Sequence, residues 1–513
     1  MVSSTTAATA PRRGWRWAAL FVTAALLSGC VGQPLTSSQP PAHTLVVGAT
    51  LEPPTMNPSA SSAASIPQVL LYNVYETLVK MDAAGDLKPW LAQSWDVSTN
   101  RVVYTFRLNP AAHFASGKPV TAQAVVTSFN RIKTEPTIPA PLVEQMAVVK
   151  STEAVDDHTV KVTLSHPSNL WLYDISSTAG IIYDPDGLAG LDTIPAGSGP
   201  FVLRAWNKGQ SVVLAANPSY WGTSPRLDTV TFRYFLDANA MNAAMLSGDI
   251  DVISNLQAPD ALDQFSDPSR FSVIQGTTTG EVVLALNNDR PALKDVRVRR
   301  AISMAIDKKA LLDTVWNGKG TLIGSMAVPT DPWYEDLTSI NAYNVAGAKK
   351  LLGEAKVSNL SLNLRVPTTA YATKSAQFVE SALRQVGIKV TVEELEFSKW
   401  LAEVHGDGKN PGGNYDMSIV AHVEARDLRR FTDPTYYFHY DNPTYNKQFD
   451  AADEAPADQL VPLMRKAVRT LAQDAAAVWL FALPNLVIAK PTVTGIPTNA
   501  ATLSFDLTMV ANR

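Results

Sequence analysis

The first 30 residues constrain the fold most, because they indicate the compartment in which the chain folds. Residues 12–16 contain three arginines, and Trp17–Leu27 is an uncharged apolar run. A basic start and an apolar run of about 7–15 residues are typical of a secretory signal peptide, whereas a membrane span needs about 20 residues. Residues 27–30 read Leu-Ser-Gly-Cys and match the bacterial lipobox, whose cysteine is acylated. We therefore expect residues 1–29 to be removed and Cys30 to anchor an exported protein to the outer face of the cell membrane.

The cysteine count limits how such an exported chain can be stabilised. Cys30 is the only cysteine, so no internal disulfide can form, and apolar cores must hold the protein together. A chain of 513 residues exceeds what one core usually serves, which predicts two or three lobes. The net charge of −4 offers no basic surface for nucleic acid. Residues 30–43 are rich in Ser, Pro, Gln and Gly, and we expect them to form a disordered tether.

Apolar periodicity in the remaining sequence alternates between strand and helix patterns, which predicts a mixed α/β fold with more than one sheet. The predicted strands are Leu45–Ala49, Val102–Leu108, His158–Leu164, Ser211–Ala215, Val230–Tyr234, Ile388–Val392 and Met417–Val423. Helix N-caps are expected at Thr121, Asp237, Asp295 and Asn344. Helix spans are expected at Pro67–Leu78, from Asp295 to about Leu312, at Thr373–Val386, and from Gln459 to about Trp479.

Several segments, in order along the chain, resemble one family, the extracellular solute-binding proteins of family 5, which serve peptide and nickel importers. The segments are Asn73–Val79, Pro89–Trp95, Tyr104–Leu108, Phe114–Ala122, Ser198–Phe201, Asn217–Gly222, Leu286–Asn288 and Val296–Asp307. The resemblance implies a periplasmic-binding-protein-like fold of type II (cluster C), with two main lobes joined by a hinge and an extra lobe.

The same resemblance implies a division of the chain and a function. Lobe I would comprise residues 44–74, 195–284 and 483–513, lobe II residues 75–194, and lobe III residues 285–482. The protein would be a monomer that captures a peptide or peptide-like solute in the cleft between lobes and delivers it to an importer of two permeases and two ATPases. Such a protein performs no chemistry and needs no cofactor.

The best candidate for ligand contact is the end of the strand Met417–Val423 and the loop after it. Polar groups at the carboxyl end of a strand are where α/β crevices bind ligands. By analogy with peptide-binding relatives, the backbone of Ala421 and Val423 would bind a peptide backbone, and Asp427 or Glu424 would bind its ammonium group. His422 is the third polar candidate, although relatives commonly have Gly-Trp at the positions of Ala421 and His422. The alternative is that this loop is only a surface ion-pair network.

Aromatic side chains form a second group of candidates, because they can wall an apolar pocket. Phe397 and Trp400 follow Glu396 on a predicted helix. The other aromatic candidates are the pair Trp333–Tyr334 and the run Tyr436–Phe438. Packing in the core is the alternative for each of them. Glu52 lies in a turn of the first lobe where relatives approach the cleft, and it is the last candidate.

Other classes of protein have less support in the sequence. The chain contains no G-x-S-x-G, H-E-x-x-H, complete Walker A or strand-linked G-x-G-x-x-G motif, so we do not expect an enzyme. No two of the seven histidines are four residues apart, and we predict no metal site in the protein itself. Binding of a nickel chelate or another small solute stays open as an alternative, as does a cell-envelope regulator that reuses the fold without transport.

Overall fold

The computed structural model describes residues 43–406 and 412–513, so the predicted signal peptide, the lipobox cysteine Cys30 and the tether up to residue 42 lie outside the described residues. The strands are β1 (Thr44–Ala49), β2 (Val79–Met81), β3 (Leu87–Pro89), β4 (Ala92–Val97), β5 (Val103–Leu108), β6 (Val149–Asp156), β7 (Thr159–Leu164), β8 (Phe201–Asn207), β9 (Ser211–Ala216), β10 (Thr229–Tyr234), β11 (Val252–Ile253), β12 (Ser272–Leu286), β13 (Ser361–Pro367), β14 (Lys389–Leu395), β15 (Met417–His422), β16 (Ala477–Ala489), β17 (Val493–Thr494) and β18 (Ala511–Asn512).

The helices alternate with these strands. They are α1 (Ser65–Leu70), α2 (Ala122–Thr134), α3 (Ala140–Gln145), α4 (Trp171–Asp174), α5 (Ala238–Ser247), α6 (Val296–Ala305), α7 (Lys308–Trp316), α8 (Val345–Glu354), α9 (Ala370–Gln385), α10 (Phe397–Val404), α11 (Pro443–Asp453) and α12 (Ala457–Asp474). Short 3-10 turns lie at Thr178–Gly180, Pro185–Gly190, Pro259–Phe265 and Asp427–Thr432. Among the described residues, no helix combines the length and the apolar character that crossing a bilayer requires.

A ten-stranded mixed sheet forms the frame of the molecule, in the order β14-β13-β15-β12-β16-β11-β1-β10-β9-β8. Its two long central strands, β12 and β16, are antiparallel and run through both halves of the sheet. Their register breaks between Thr277 and Glu281, where three residues of β12 face only Leu483 of β16. Such a bulge bends a strand and increases its twist. The break therefore separates the half that contains β1 from the half that contains β15.

A second sheet, in the order β4-β5-β7-β6, carries its own buried cluster around Phe106, Phe129 and Trp171. The prediction of a mixed α/β fold with more than one sheet is confirmed. The exact lobe boundaries stay a prediction, which the separate clusters and the register break of β12 support.

Local signals located several helix starts correctly. Thr121 caps α2, since its side-chain oxygen accepts a hydrogen bond from the N–H of Ala124 at 3.3 Å. Asp237, Asp295 and Asn344 cap α5, α6 and α8 in the same way, as predicted. Each cap satisfies an N–H group that has no partner inside its helix.

Three predicted helix spans were too long. Helix α1 ends at Leu70 and not at Leu78, because the chain then turns with a positive φ of 65° at Tyr72. The helix from Asp295 ends at Ala305, and Asp307 caps a separate helix, α7.

The last predicted helix also ends early. Helix α12 stops at Asp474, because Ala475 adopts a left-handed conformation with φ of 44°. Trp479 therefore lies in strand β16 and not in a helix. The apolar run from residue 475 to 483 fits a fully buried strand as well as a buried helix, and periodicity alone does not separate the two.

Candidate functional site

A cavity of about 110 Å³ lies where three distant parts of the chain meet. One wall comes from residues 61–71 and 502–503, and a second comes from residues 141–178. The third wall is the loop after β15, which contributes residues 424–427, 429 and 430. The cavity therefore opens at the carboxyl end of β15, where the sequence placed the ligand site.

Neighbouring strands fix the end of β15. It pairs antiparallel with β12, which places Glu281 opposite His422 and Val282 opposite Ala421. The Ala421 N–H donates to the hydroxyl of Tyr371 at 3.2 Å, and the Val423 carbonyl accepts from the hydroxyl of Thr279 at 2.6 Å. These backbone groups, which we expected to meet a peptide, have partners inside the chain in this structure.

His422 and Asp427 form the centre of a buried polar network. The Nδ1 atom of His422 lies 2.9 Å from Oδ2 of Asp427, and its Nε2 atom lies 2.7 Å from the hydroxyl of Tyr437. The Nε of Arg430 donates to the other oxygen of Asp427 at 3.0 Å. His422 is 4% exposed and Asp427 is 8% exposed. Both residues lie at the site, but their polar atoms hold the loop in place.

Three arginines of this loop reach across the cavity to the wall formed by residues 141–178. Arg430 pairs with Glu144, and Arg429 pairs with Asp174 at 3.1 Å. Burial raises the pKa of the Asp174 carboxyl to about 6, although Arg429 opposes that shift.

Arg426 adds a third contact across the cavity. Its guanidinium carbon stands 3.7 Å from the ring centroid of Tyr173, and its φ of 62° is in the left-handed region. A stacked cation and ring attract each other most strongly when both are buried. The loop after β15 is thus tied to the opposite wall at several points.

Two acids near the loop after β15 have no ion pair within the described residues. Glu424 lines the cavity and forms no ion pair within the described residues, although Arg430 lies close enough to sense its charge. Glu281 is 1% exposed, and its Oε2 atom has no hydrogen-bond partner within the part of the chain that the structure describes.

Asp331 is a third acid beside them, held by the N–H of Val328 at 3.0 Å and lying 3.8 Å from Arg426. Burial raises its pKa to about 6. The sequence analysis missed Glu281 and Asp331, and of the three arginines it considered only Arg426. The signal for Glu281 was present, because it is the one acid in an otherwise apolar strand segment, residues 280–286.

The aromatic candidates divide between core and surface. Trp400 is 1% exposed, and its Nε1 donates to the hydroxyl of Ser418 at 3.0 Å. Phe397 is 49% exposed and packs on Trp400 with ring centroids 5.5 Å apart. Trp333 is fully buried, 5.7 Å from Arg426, and Tyr437 and Phe438 pack against His422.

Glu52 lies outside this cavity's lining. Its carboxylate accepts hydrogen bonds from the indole of Trp206 at 2.5 Å and from the N–H of Gly209 at 2.8 Å. Its role as a ligand contact stays a prediction.

One group of side chains has the atom types of a metal site. Ligand atoms of His422, Glu424 and Asp427 lie within 4.8 Å of one another. Both nitrogens of His422 and both oxygens of Asp427 already have partners, however. A metal ion would have to displace those bonds.

Solved structures identify the class of the fold. The periplasmic binding protein DppA of Helicobacter pylori, in complex with the peptide STSA, matches with a TM-score of 0.80 at 22% identity, over 91% of this chain and 98% of that chain. NikA of Brucella suis, in complex with Fe(III)-EDTA, matches with a TM-score of 0.80 at 24% identity, over 92% of this chain and 100% of that one. The fold is that of a type II periplasmic binding protein.

Within that class, the chain belongs to the bacterial extracellular solute-binding proteins of family 5, whose middle region matches residues 86–446. The probable D,D-dipeptide-binding periplasmic protein DdpA of Escherichia coli K12 is 30% identical over 406 residues, which cover 75% of this chain and 76% of DdpA. Family members bind solutes outside the cytoplasm and work with the permease and ATPase of ABC importers. Its relatives are transport proteins and not enzymes.

Proposed function

We propose that this protein is the lipid-anchored solute-binding component of an ABC importer and that it captures a peptide or peptide-like solute in the cavity beside the loop after β15. The observation that carries the proposal is Glu424, an acid that lines the cavity and has no ion-pair partner within the described residues. A free peptide brings an ammonium group that can occupy that position. The names of relatives such as DdpA support a peptide as the solute.

The neighbouring contacts explain why Glu424, rather than Asp427, is the proposed ammonium acceptor. Asp427 already binds His422 and Arg430 through its two oxygens. A peptide would have to break these buried bonds to reach it, and unpaired buried charges are costly. Glu424 needs no such exchange.

Capture would proceed by closure of the cavity walls on the solute. The pairs Arg429–Asp174 and Arg430–Glu144 join the loop after β15 to the wall formed by residues 141–178. A solute shifts the protein toward the closed form only by the contacts that it makes better there than in the open form. An ammonium group on Glu424, between the walls, is such a contact.

A thermal-shift screen of the mature protein tests the proposal, with di- to pentapeptides, N-acetylated peptides, nickel chelates and oligosaccharides as arms. A ligand at 100 times its Kd adds about 2.7 kcal/mol of stability. We expect free peptides to raise Tm and the N-acetylated peptides to raise it less. A shift with the nickel chelates or oligosaccharides and none with any peptide would contradict the proposal.

The lipid anchor needs a separate test in cells. Replacing the acylated residue, Cys30→Ser, should release the protein from the membrane fraction and abolish incorporation of labelled palmitate. Retention of both the label and the membrane location would contradict lipidation at Cys30.

A further inference from the structure

Glu281 occupies an unusual position at the junction between the two halves of the main sheet. It is the first paired residue of β12 after the register break, and it lies between His422 of β15 and Ala482 of β16. The residues that follow it in the strand, 282–286, are buried and apolar. A buried carboxyl with an unmade hydrogen bond is costly to maintain, and Oε2 of Glu281 has no partner in the described parts of the chain.

The charged groups that face Glu281 are mostly acids. Asp331 approaches from the loop that follows Val328, and Glu424 and Asp427 approach from the loop after β15. Two guanidinium groups oppose these four carboxyls. Arg426 lies 3.8 Å from Asp331, and Arg430 pairs with Asp427 but also with Glu144.

The cross-strand neighbour of Glu281, His422, brings no free group, because both its ring nitrogens are engaged. If all four carboxyls were ionised, the cluster would carry more negative than positive charge. Like charges this close favour retention of a proton on one of them. Asp331 and Asp427 accept hydrogen bonds from Val328 and Arg430, whereas Glu281 is 1% exposed and its Oε2 has no partner in the described residues, so we infer that Glu281 keeps the proton. Burial raises the pKa of the Glu281 carboxyl, and the charges of Asp331, Asp427 and Glu424 raise it further.

We propose that Glu281 determines specificity for cationic solutes, because a cationic group that binds at Glu424 displaces a proton from the Glu281 carboxyl to the solvent. This inference rests on the proposed function, since the cation binds at Glu424, which lines the cavity and whose charge acts on Glu281. The charge balances: one positive group enters, one proton leaves, and the cluster keeps its net charge. A neutral solute of the same shape would leave the Glu424 carboxylate without a compensating charge, so the cluster would discriminate against it.

Titration calorimetry measures the exchange directly. The probes are Ala-Ala-Ala and N-acetyl-Ala-Ala-Ala, and heats are compared at one pH in two buffers of different ionisation enthalpy. With the wild-type protein we expect release of close to one proton per tripeptide and none with the acetylated probe. Between pH 5.5 and 7, the affinity of the tripeptide should rise with pH by up to tenfold per unit.

The matched variants are Glu281→Gln, which has nearly the same shape and no proton to release, and Glu394→Gln, an exposed acid on β14. The first should bind the tripeptide with no proton release and an affinity that is flat with pH. The second should behave like the wild type. Equal proton release by wild type and E281Q would overturn the inference.

A spectroscopic measurement without any ligand keeps the inference testable if no peptide binds. The carboxyl carbon of Glu281 can be assigned in ¹³C-glutamate spectra by its disappearance in E281Q. We expect its shift to be that of a protonated acid at pH 7, and an ionised shift would overturn the inference. Failure of both peptides to bind would count against the proposed peptide function, whereas binding that leaves a protonated Glu281 unchanged would overturn this inference alone.

Discussion

Two buried glutamates, Glu76 and Glu281, show how differently the same side chain can be used in one molecule. Glu76 accepts hydrogen bonds from the hydroxyls of Ser198 and Tyr220, both at 2.7 Å, and from the indole of Trp221 at 3.0 Å. Glu281 is equally buried but leaves one oxygen without a partner in the described residues. Burial alone therefore does not distinguish the two glutamates, whereas the unmet bonding capacity of Glu281 does.

The position of Glu76 explains its satisfied network. It follows Asn73 and Val74, whose carbonyls accept hydrogen bonds from Phe201 and Gly199. Ser198 belongs to that second segment and bonds the Glu76 carboxylate. Glu76 thus fastens two chain segments, near residues 74 and 198, that the sequence predicts to connect lobes I and II. Its role is structural.

The largest expected effect is on Glu76. Glu76→Ala leaves three donors without their acceptor and should lower the free energy of unfolding by about 4 kcal/mol, while Glu76→Gln should cost roughly half as much. Urea denaturation monitored by tryptophan fluorescence measures both variants. If Glu76→Ala were as stable as wild type, the hydrogen bonds of Glu76 would not stabilise the fold, and its contrast with Glu281 would be contradicted.

A second contrast lies between two acids of the site loop. Asp427→Ala should lower the free energy of unfolding by about 3 kcal/mol, because it leaves His422 and Arg430 without a buried partner. Glu424→Gln should change it by less than about 0.5 kcal/mol. The same denaturation measurement compares the two variants. A larger loss of stability for Glu424→Gln than for Asp427→Ala would contradict this assignment, because Glu424 and not Asp427 would then stabilise the loop.

The effect of Glu281→Gln on stability depends on pH. Because the pKa of Glu281 is raised in the folded state, its contribution to stability is present at low pH and is lost as pH rises through that folded pKa. The variant has no such loss. We therefore expect E281Q to gain stability relative to wild type between pH 5 and 8, which chemical denaturation at several pH values can follow. A stability difference that is constant with pH would show that Glu281 is already ionised.

Local chemistry explains what the sequence could predict. The cap at Thr121 and the alternation of buried side chains in Val103–Leu108 depend on residues within a few positions of each other, and both features are present. The ion pair between Arg429 and Asp174 joins residues that are 255 positions apart. No periodicity in a single sequence encodes such a partner, so which acid of the site loop is left unpaired emerges only from the folded structure.

The most direct test of the central claim is a crystal structure of the mature protein with Ala-Ala-Ala bound. We predict that the peptide lies in the cavity between the loop after β15 and residues 141–178, with its amino nitrogen within hydrogen-bonding distance of the Glu424 carboxylate. The bonds from Asp427 to His422 and Arg430 should be unchanged. A peptide found elsewhere, or an amino group that displaces Arg430 from Asp427, would contradict the account.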